Sequence, residues 1–256
     1  MGIFFSHLAG DLRYAGRQLL LNPGFAVVCV LTLALGIGAS TAIFSAVNPI
    51  LFQPLPYPSA GQLMMIQEMR SNGSPRPVTF GTFYGLAQGS RSFDAMAVMK
   101  PWQPTRVGTG QPERFDGQRV SAGYFRALGV LPRLGRDFQA ADDQFRGPNV
   151  VVLSDQLWRR RFAGDSAILG QQLTLDDNLF TVIGVMPATF ENVLSPAAEL
   201  WAPLQYNPSL PAEGREWGHH LRMVGRLRSA VNANQARNEL NAVLAPFAQI
   251  YAQGYS

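Results

Sequence analysis

The chain has 256 residues, of which 47% are hydrophobic and only 15% charged, with a net charge of +4. That length allows one large domain or two small ones with a sizeable core, and the charge content lies below the ~25% of an average soluble domain. A lone cysteine, Cys29, excludes an intrachain disulfide and a cysteine-based metal site.

The first 21 residues read as a short amphipathic helix. Leu8, Leu12, Ala15 and Leu19 recur at helical spacing, with Arg13 and Arg17 on another face. Such a helix lies on a membrane surface or docks on a cytoplasmic partner. From Gly24 to Val47 the chain carries no charged residue, which is enough to cross a ~30 Å bilayer core at ~1.5 Å per helical residue. Pro23 and Pro49 mark its two ends. Arg13 and Arg17 precede the span, whereas no Lys or Arg occurs from Asn48 to Met69. The positive-inside rule then keeps residues 1–23 in the cytoplasm and exports everything beyond the span. A cleaved signal peptide is the competing reading. The apolar run is longer than the ~7–15 residues of a signal core, and Val28 before Cys29 does not suit a lipoprotein site. Within the span, Gly36 with Ser40 and Gly38 with Ala42 form two small-xxx-small pairs, the pattern that lets helices pack closely.

A Pro-rich connector, Gln53–Pro58, reads as stiff and extended. Beyond it helices and strands alternate. Residues 62–69 read as a strand, 79–88 as a helix and 93–99 as a strand, a β-α-β pattern. Residues 104–120 read as strands around the turn Gly108–Gly110. A short helix over 121–128 has Ser121 as its N-cap. A buried strand at 150–153 leads into a helix ending at Phe162, capped by Ser154 or Asp155. Leu173 to Val185 read as a hairpin turning at Asp176–Asn178. Strands at 200–204 and 221–227 precede a helix over 234–251, whose apolar face is Leu240, Val243, Leu244, Phe247 and Tyr251.

The sequence offers little catalytic chemistry. The Walker A loop needs glycine before lysine, and the sole lysine, Lys100, follows Met99. Neither a nucleophile elbow nor an HExxH motif occurs. His219 and His220 are adjacent, hence poorly placed to chelate one ion, and the sparse carboxylates read as unpaired with any histidine. Asp176 and Asp177 read as turn chemistry. Arg159–Arg161 reads as a solvated helix face rather than a nucleic-acid contact. No enzyme, cofactor or metal site is expected, so the catalytic, cofactor and metal residue sets are empty.

Five segments carry a resemblance: DLRYAGRQLLLNPGF (11–25), LTLALGIGASTAIFSAVNPILFQPLPYP (31–58), PERFDGQRVSAGYFRALGVLPRLGRDF (112–138), VVVLSDQLWRRRFAGD (150–165) and LTLDDNLFTVIGVMPATF (173–190). Together they resemble the MacB-like, FtsX-superfamily ABC transporter permeases, most of all the duplicated orphan permease subgroup. The resemblance implies an α+β architecture: one membrane helix (24–48) after a cytoplasmic helix (1–23), then a periplasmic core domain (49–256). Porter-like β-α-β modules would come from 59–103 and 215–256, with a β-rich subdomain, 104–214, inserted between them. It implies a permease component of an export or mechanotransmission system in the cell inner membrane. A separate ABC ATPase subunit would hold the ATP, and a periplasmic adaptor, a second permease copy and membrane lipids would be the further partners. Asp11, Arg13, Tyr14 and Arg17 are the residues expected to meet the ATPase side. Complete members carry further membrane helices after this domain, so the sequence reads as a fragment, a truncated product or a half-sized relative. The alternative function is a membrane-anchored periplasmic binding or scaffold module without energy coupling.

Overall fold

The computed structural model describes residues 17–18, 20–51, 55–106, 112–209 and 218–251. Two compact units divide the chain, Met1–Pro54 and Leu55–Ser256. In the first, helix α1 runs from Pro23 to Leu51. Its stretch Pro23–Ser45 is 23 residues of apolar helix, about 35 Å long at 1.5 Å per residue and sufficient to cross a bilayer core. Leu35 and Ile37 are 74% and 65% exposed, a surface that water would not tolerate along a whole helix and lipid would. The one hydroxyl bond described on this helix goes inward, Thr32 Oγ1 donating to Val28 O at 2.8 Å. Pro49 does not end the helix as expected. The last turn continues to Leu51, because a proline there removes a single backbone bond and the carbonyls at a helix end lack partners anyway.

The second unit is built on one long sheet. Its strands are β1 (Leu63–Ile66), β4 (Phe93–Trp102), β5 (Thr105–Arg106), β6 (Glu113–Arg114), β7 (Gly117–Val120), β8 (Leu134–Gly135), β9 (Val150–Leu153), β10 (Gln172–Leu175), β11 (Asn178–Val185), β12 (Leu200–Pro203) and β13 (Arg222–Leu227). Their order is β1-β13-β4-β7-β12-β9-β11-β10-β5-β6, with β8 paired to β11. β2 (Glu68–Met69) and β3 (Pro75–Arg76) form a separate ribbon. The expected strand over 62–69 is therefore interrupted at Gln67, where the chain leaves the main sheet for that ribbon.

Helix α2 (Phe80–Gly89) links β1 to β4. Both strands pair antiparallel with β13, so they are parallel to each other with β13 between them, a split β-α-β unit. Helix α5 (Ala233–Tyr251) follows β13 and packs beside α2. Thr79 caps α2 by accepting from Thr82 N. At the other end α4 (Asp155–Phe162) links β9 to the β10–β11 hairpin, and β9 and β11 are parallel. Ser154 is the α4 cap, its hydroxyl accepting from Leu157 N at 3.1 Å. Asp176 and Asp177 both take positive φ, 48° and 61°, in the tight turn their position predicts.

One expected cap is corrected. Helix α3 spans only Tyr124–Leu128, with Gly123 at its N-cap. Ser121 instead accepts a hydrogen bond from Val98 N at 3.0 Å, tying the start of the helical segment to β4. The sheet partner outcompeted the helix because Val98 N would otherwise be a buried donor without an acceptor.

The core divides by sheet face. α2 and α5 cover β1, β13 and β4 through Leu86, Met223, Leu240 and Val243. α4 covers β9, β10, β11 and β12 on that same side through Leu157, Trp158 and Phe180. The opposite face holds α3 and the 187–199 loop around Trp201, Tyr124 and Phe125. A polar hub sits inside this last cluster. Gln118 Oε1 accepts from Tyr124 OH (3.2 Å), Asn192 Nδ2 (2.7 Å) and Trp201 Nε1 (2.9 Å). A buried polar atom is tolerated when so satisfied.

Candidate functional site

The sequence-predicted residues fall in three places. Asp11, Arg13 and Tyr14 lie outside the described residues, as does the Gly108–Gly110 turn; the side chains of Phe247 and Tyr251 are likewise not described. Arg17 is described and stands exposed on a helical turn. Gly36, Gly38, Ser40 and Ala42 are all on α1 and exposed. A Cβ added at Gly36 or Gly38 would meet nothing within 4 Å. Positions 36 and 38 are about 200° apart around the axis, so the Gly36–Ser40 and Gly38–Ala42 pairs occupy opposite sides of the helix.

The connector is better fixed than its composition alone requires. Tyr57 is buried, and its hydroxyl accepts from Val193 N at 3.2 Å. Burial raises the Tyr57 pKa, against the Val193 N–H, which lowers it. Arg226 Nη1 donates to Pro58 O at 2.9 Å while its Nε donates to Ala127 O at 2.8 Å. One guanidinium thereby joins the connector, β13 and the end of α3.

A cleft of about 1190 Å³ runs beside β1. Met64 and Ile66 of β1, Phe93 of β4 and Leu240 and Leu244 of α5 supply its apolar walls, and Arg70, Arg76 and Arg237 its charge. Glu68 also lines it. Its Oε1 accepts from Thr82 Oγ1 at 2.6 Å and Thr79 N at 3.2 Å, and its Oε2 lies 3.1 Å from Arg76 Nη2 and 3.2 Å from His219 Nδ1. The expectation that no carboxylate meets a histidine is thus corrected. Glu68 and His219 are distant in sequence; the pairing of β1 with β13 and the Val78–Leu221 bridge bring their segments together. His220 turns elsewhere, as adjacency predicts: its Nδ1 donates to Gly218 O at 2.7 Å and its Nε2 lies 2.7 Å from Tyr206 OH.

The Arg159–Arg161 run is exposed but paired, to Asp155 (2.7 Å), Glu199 (2.6 Å) and Glu113 (2.5 Å) respectively. Arg119, which the sequence reading did not single out, stacks over Trp102 at 4.2 Å and donates to Pro203 O at 3.1 Å. Burial lowers its pKa to about 10 despite Asp176 nearby. Among the described residues no group of histidine, cysteine or carboxylate side chains is arranged to hold a metal ion.

Residues 26–243 match the MacB-like periplasmic core domain. The chain belongs to that family. The match begins inside α1 and ends inside α5, so it takes in both units. Solved structures share the fold. The periplasmic region of MacB from Actinobacillus actinomycetemcomitans is 16% identical with a TM-score of 0.56, over 78% of this chain and 89% of that one. The extracellular domain of the noncanonical ABC-type transporter YknZ from Gram-positive bacteria is 14% identical with a TM-score of 0.52, over 74% and 95%. A permease-protein domain from Porphyromonas gingivalis is 16% identical with a TM-score of 0.56, over 77% and 86%. No curated protein matches the chain. The MacB-like chain is therefore a membrane-anchored protein of the ABC permease family with an extracytoplasmic α/β domain.

Proposed function

We propose that this chain is a permease component of an ABC-type export or mechanotransmission system of the inner membrane. The observation that carries this reading is the unbroken family match from α1 into the folded domain. Residues 1–23 are cytoplasmic, on the strength of Arg13 and Arg17 before the span and the basic-free stretch after it. Asp11, Arg13, Tyr14 and Arg17 meet an ABC ATPase subunit that holds the ATP. Gly36, Gly38, Ser40 and Ala42 pack α1 against neighbouring helices, of a second permease copy among others. The porter-like part comprises 59–103 and 215–256, and 104–214 is its insertion. A periplasmic adaptor and membrane lipids complete the set of partners.

Co-purification tests the coupling. The full chain, extracted in mild detergent, retains an ATP-binding subunit, and Arg13→Glu with Arg17→Glu releases it. Unchanged retention removes the proposed contact. Failure of the unmodified chain to retain any ATPase supports the second reading, a tethered binding or scaffold module.

A further inference from the structure

We propose that the 187–199 loop is a latch on the connector, closed by Tyr57, so that the connector cannot move without moving the loop. Tyr57 is the first buried side chain among the described residues after α1; Leu55 and Pro56 before it are exposed.

The loop has neither helix nor strand, yet its centre is fixed from several sides. The Phe190 ring lies 5.6 Å from Trp201, 5.8 Å from Phe125 and 6.4 Å from Tyr57, centroid to centroid. Asn192 Nδ2 donates to Gln118 Oε1 at 2.7 Å, and its Oδ1 accepts from Tyr124 OH at 3.1 Å. Val193 N is shared between Tyr57 OH at 3.2 Å and Glu191 O at 3.1 Å. Leu194 O accepts from Arg222 Nη1 at 2.6 Å. Gln118, Tyr124 and Trp201 belong to β7, α3 and β12, Arg222 to β13 and Tyr57 to the connector. The loop thus ties the connector to both halves of the sheet.

Two features make Tyr57 the closing element. Pro56 and Pro58 flank it, and fixed proline φ angles leave the segment little slack to pay out before the ring itself is drawn. Withdrawing the ring would also strip the loop. Phe190 would lose one of its three aromatic neighbours, and Val193 N one of its two acceptors. Buried aromatic rings carry a large share of core energetics, so connector and loop each hold the other, and the coupling is reciprocal. The same loop is a wall of a second cavity, of about 660 Å³. Pro187, Ala188, Glu191 and Pro196 form that wall, and Ser154 and Gln156 at the start of α4 stand among its other lining residues. A displacement of the connector therefore reaches this cavity through Tyr57.

The latch does not depend on ATPase coupling, and its test needs no ATPase. Hydrogen exchange is measured on the detergent-solubilised full chain. Tyr57→Ala should speed exchange over residues 190–194 about tenfold and leave β9 unchanged. Tyr57→Phe, which keeps the ring, should act on the Val193 amide alone, by about threefold. Reciprocity is tested from the loop side in a Cys29→Ser background. Spin labels on cysteines at the exposed positions Leu55 and Leu179 should give a broader distance distribution when Phe190→Ala is added. Labels at Tyr84 and Leu179, also exposed, should keep the parent distribution. Unchanged exchange over 190–194 in Tyr57→Ala, or an unchanged Leu55–Leu179 distribution in Phe190→Ala, overturns the latch, because connector and loop then move separately. Equal broadening of the Tyr84–Leu179 pair overturns it too, since Phe190 then only supports the core. If Tyr57→Ala does not fold, Tyr57→Phe decides, and an unaltered Val193 amide overturns the latch.

Discussion

The β10–β11 end and the β1 end of the sheet are built differently. At the β10–β11 end, the backbone packs on itself. A Cβ at Gly135 on β8 would lie 2.1 Å from Ile183 O, and Gly135 has φ +72°. Asp176 there accepts from Thr105 N at 2.9 Å and Trp102 Nε1 at 3.2 Å, pinning the β10–β11 turn to β5 and the end of β4. At the β1 end the space is open: a Cβ at Gly61, just before β1, would meet nothing within 4 Å. One end is specified by close backbone contact and short, charged strands, and the other by apolar helix faces laid on the sheet together with the polar cluster around Glu68.

The sharpest way to break this contrast is the glycine pair. Gly135→Ala forces a backbone shift at a left-handed position and is expected to cost about 3 kcal/mol. Gly61→Ala should stay within about 0.5 kcal/mol of the parent. Denaturant titrations of the two variants, followed by tryptophan fluorescence, measure the difference. Equal effects would show that the β10–β11 end is no tighter than the β1 end. Next in size is Asp176→Ala, which removes two acceptors from the exposed hairpin turn and leaves alanine at φ 48°. It should cost about 2 kcal/mol, with loss of exchange protection confined to the Thr105 amide and the hairpin.

The smallest effect concerns pH and the strap between β8 and β9. Burial raises the Asp137 pKa to about 6, against the lowering effects of Phe138 N–H, Arg126 and Arg136, while Asp142 raises it further. Its Oδ2 is buried without a partner. The folded protein therefore binds the proton more tightly than the unfolded chain, and stability contributed by the protonated acid declines as pH rises from about 4 through about 6. Asp137→Asn should abolish that slope and be about 1 kcal/mol more stable at neutral pH, the figure being reduced because the group is partly solvated. Melting temperatures of both forms between pH 4 and 7 check it; parallel curves would mean Asp137 stays charged throughout.

What could be read in advance follows the reach of each interaction. The membrane segment, the α4 cap at Ser154 and the Asp176–Asp177 turn were legible because each depends on neighbours in the chain. Ser121 misled because its local pattern suits a cap while its actual bond is to Val98 on another strand. The cleft could not have been found, since its walls come from β1, β4, α2 and α5. Its one local trace was an uncharged Leu-Met-Met-Ile strand.

By itself the sequence determined that the chain carries a bilayer-length helix, that β and α segments alternate after it, and that its motifs are those of MacB-like domains. The first two follow from periodicity, charge and short-range turn chemistry, which act within a few residues; the third is a resemblance carried by the motifs themselves. The tertiary structure alone decided that β13 inserts between β1 and β4. That pairing, with the Val78–Leu221 bridge, brings Glu68 to His219, and it places Arg226 where it joins the connector to α3. Strand pairing is a contest among distant segments for the same backbone donors and acceptors, and no local pattern records which segment wins.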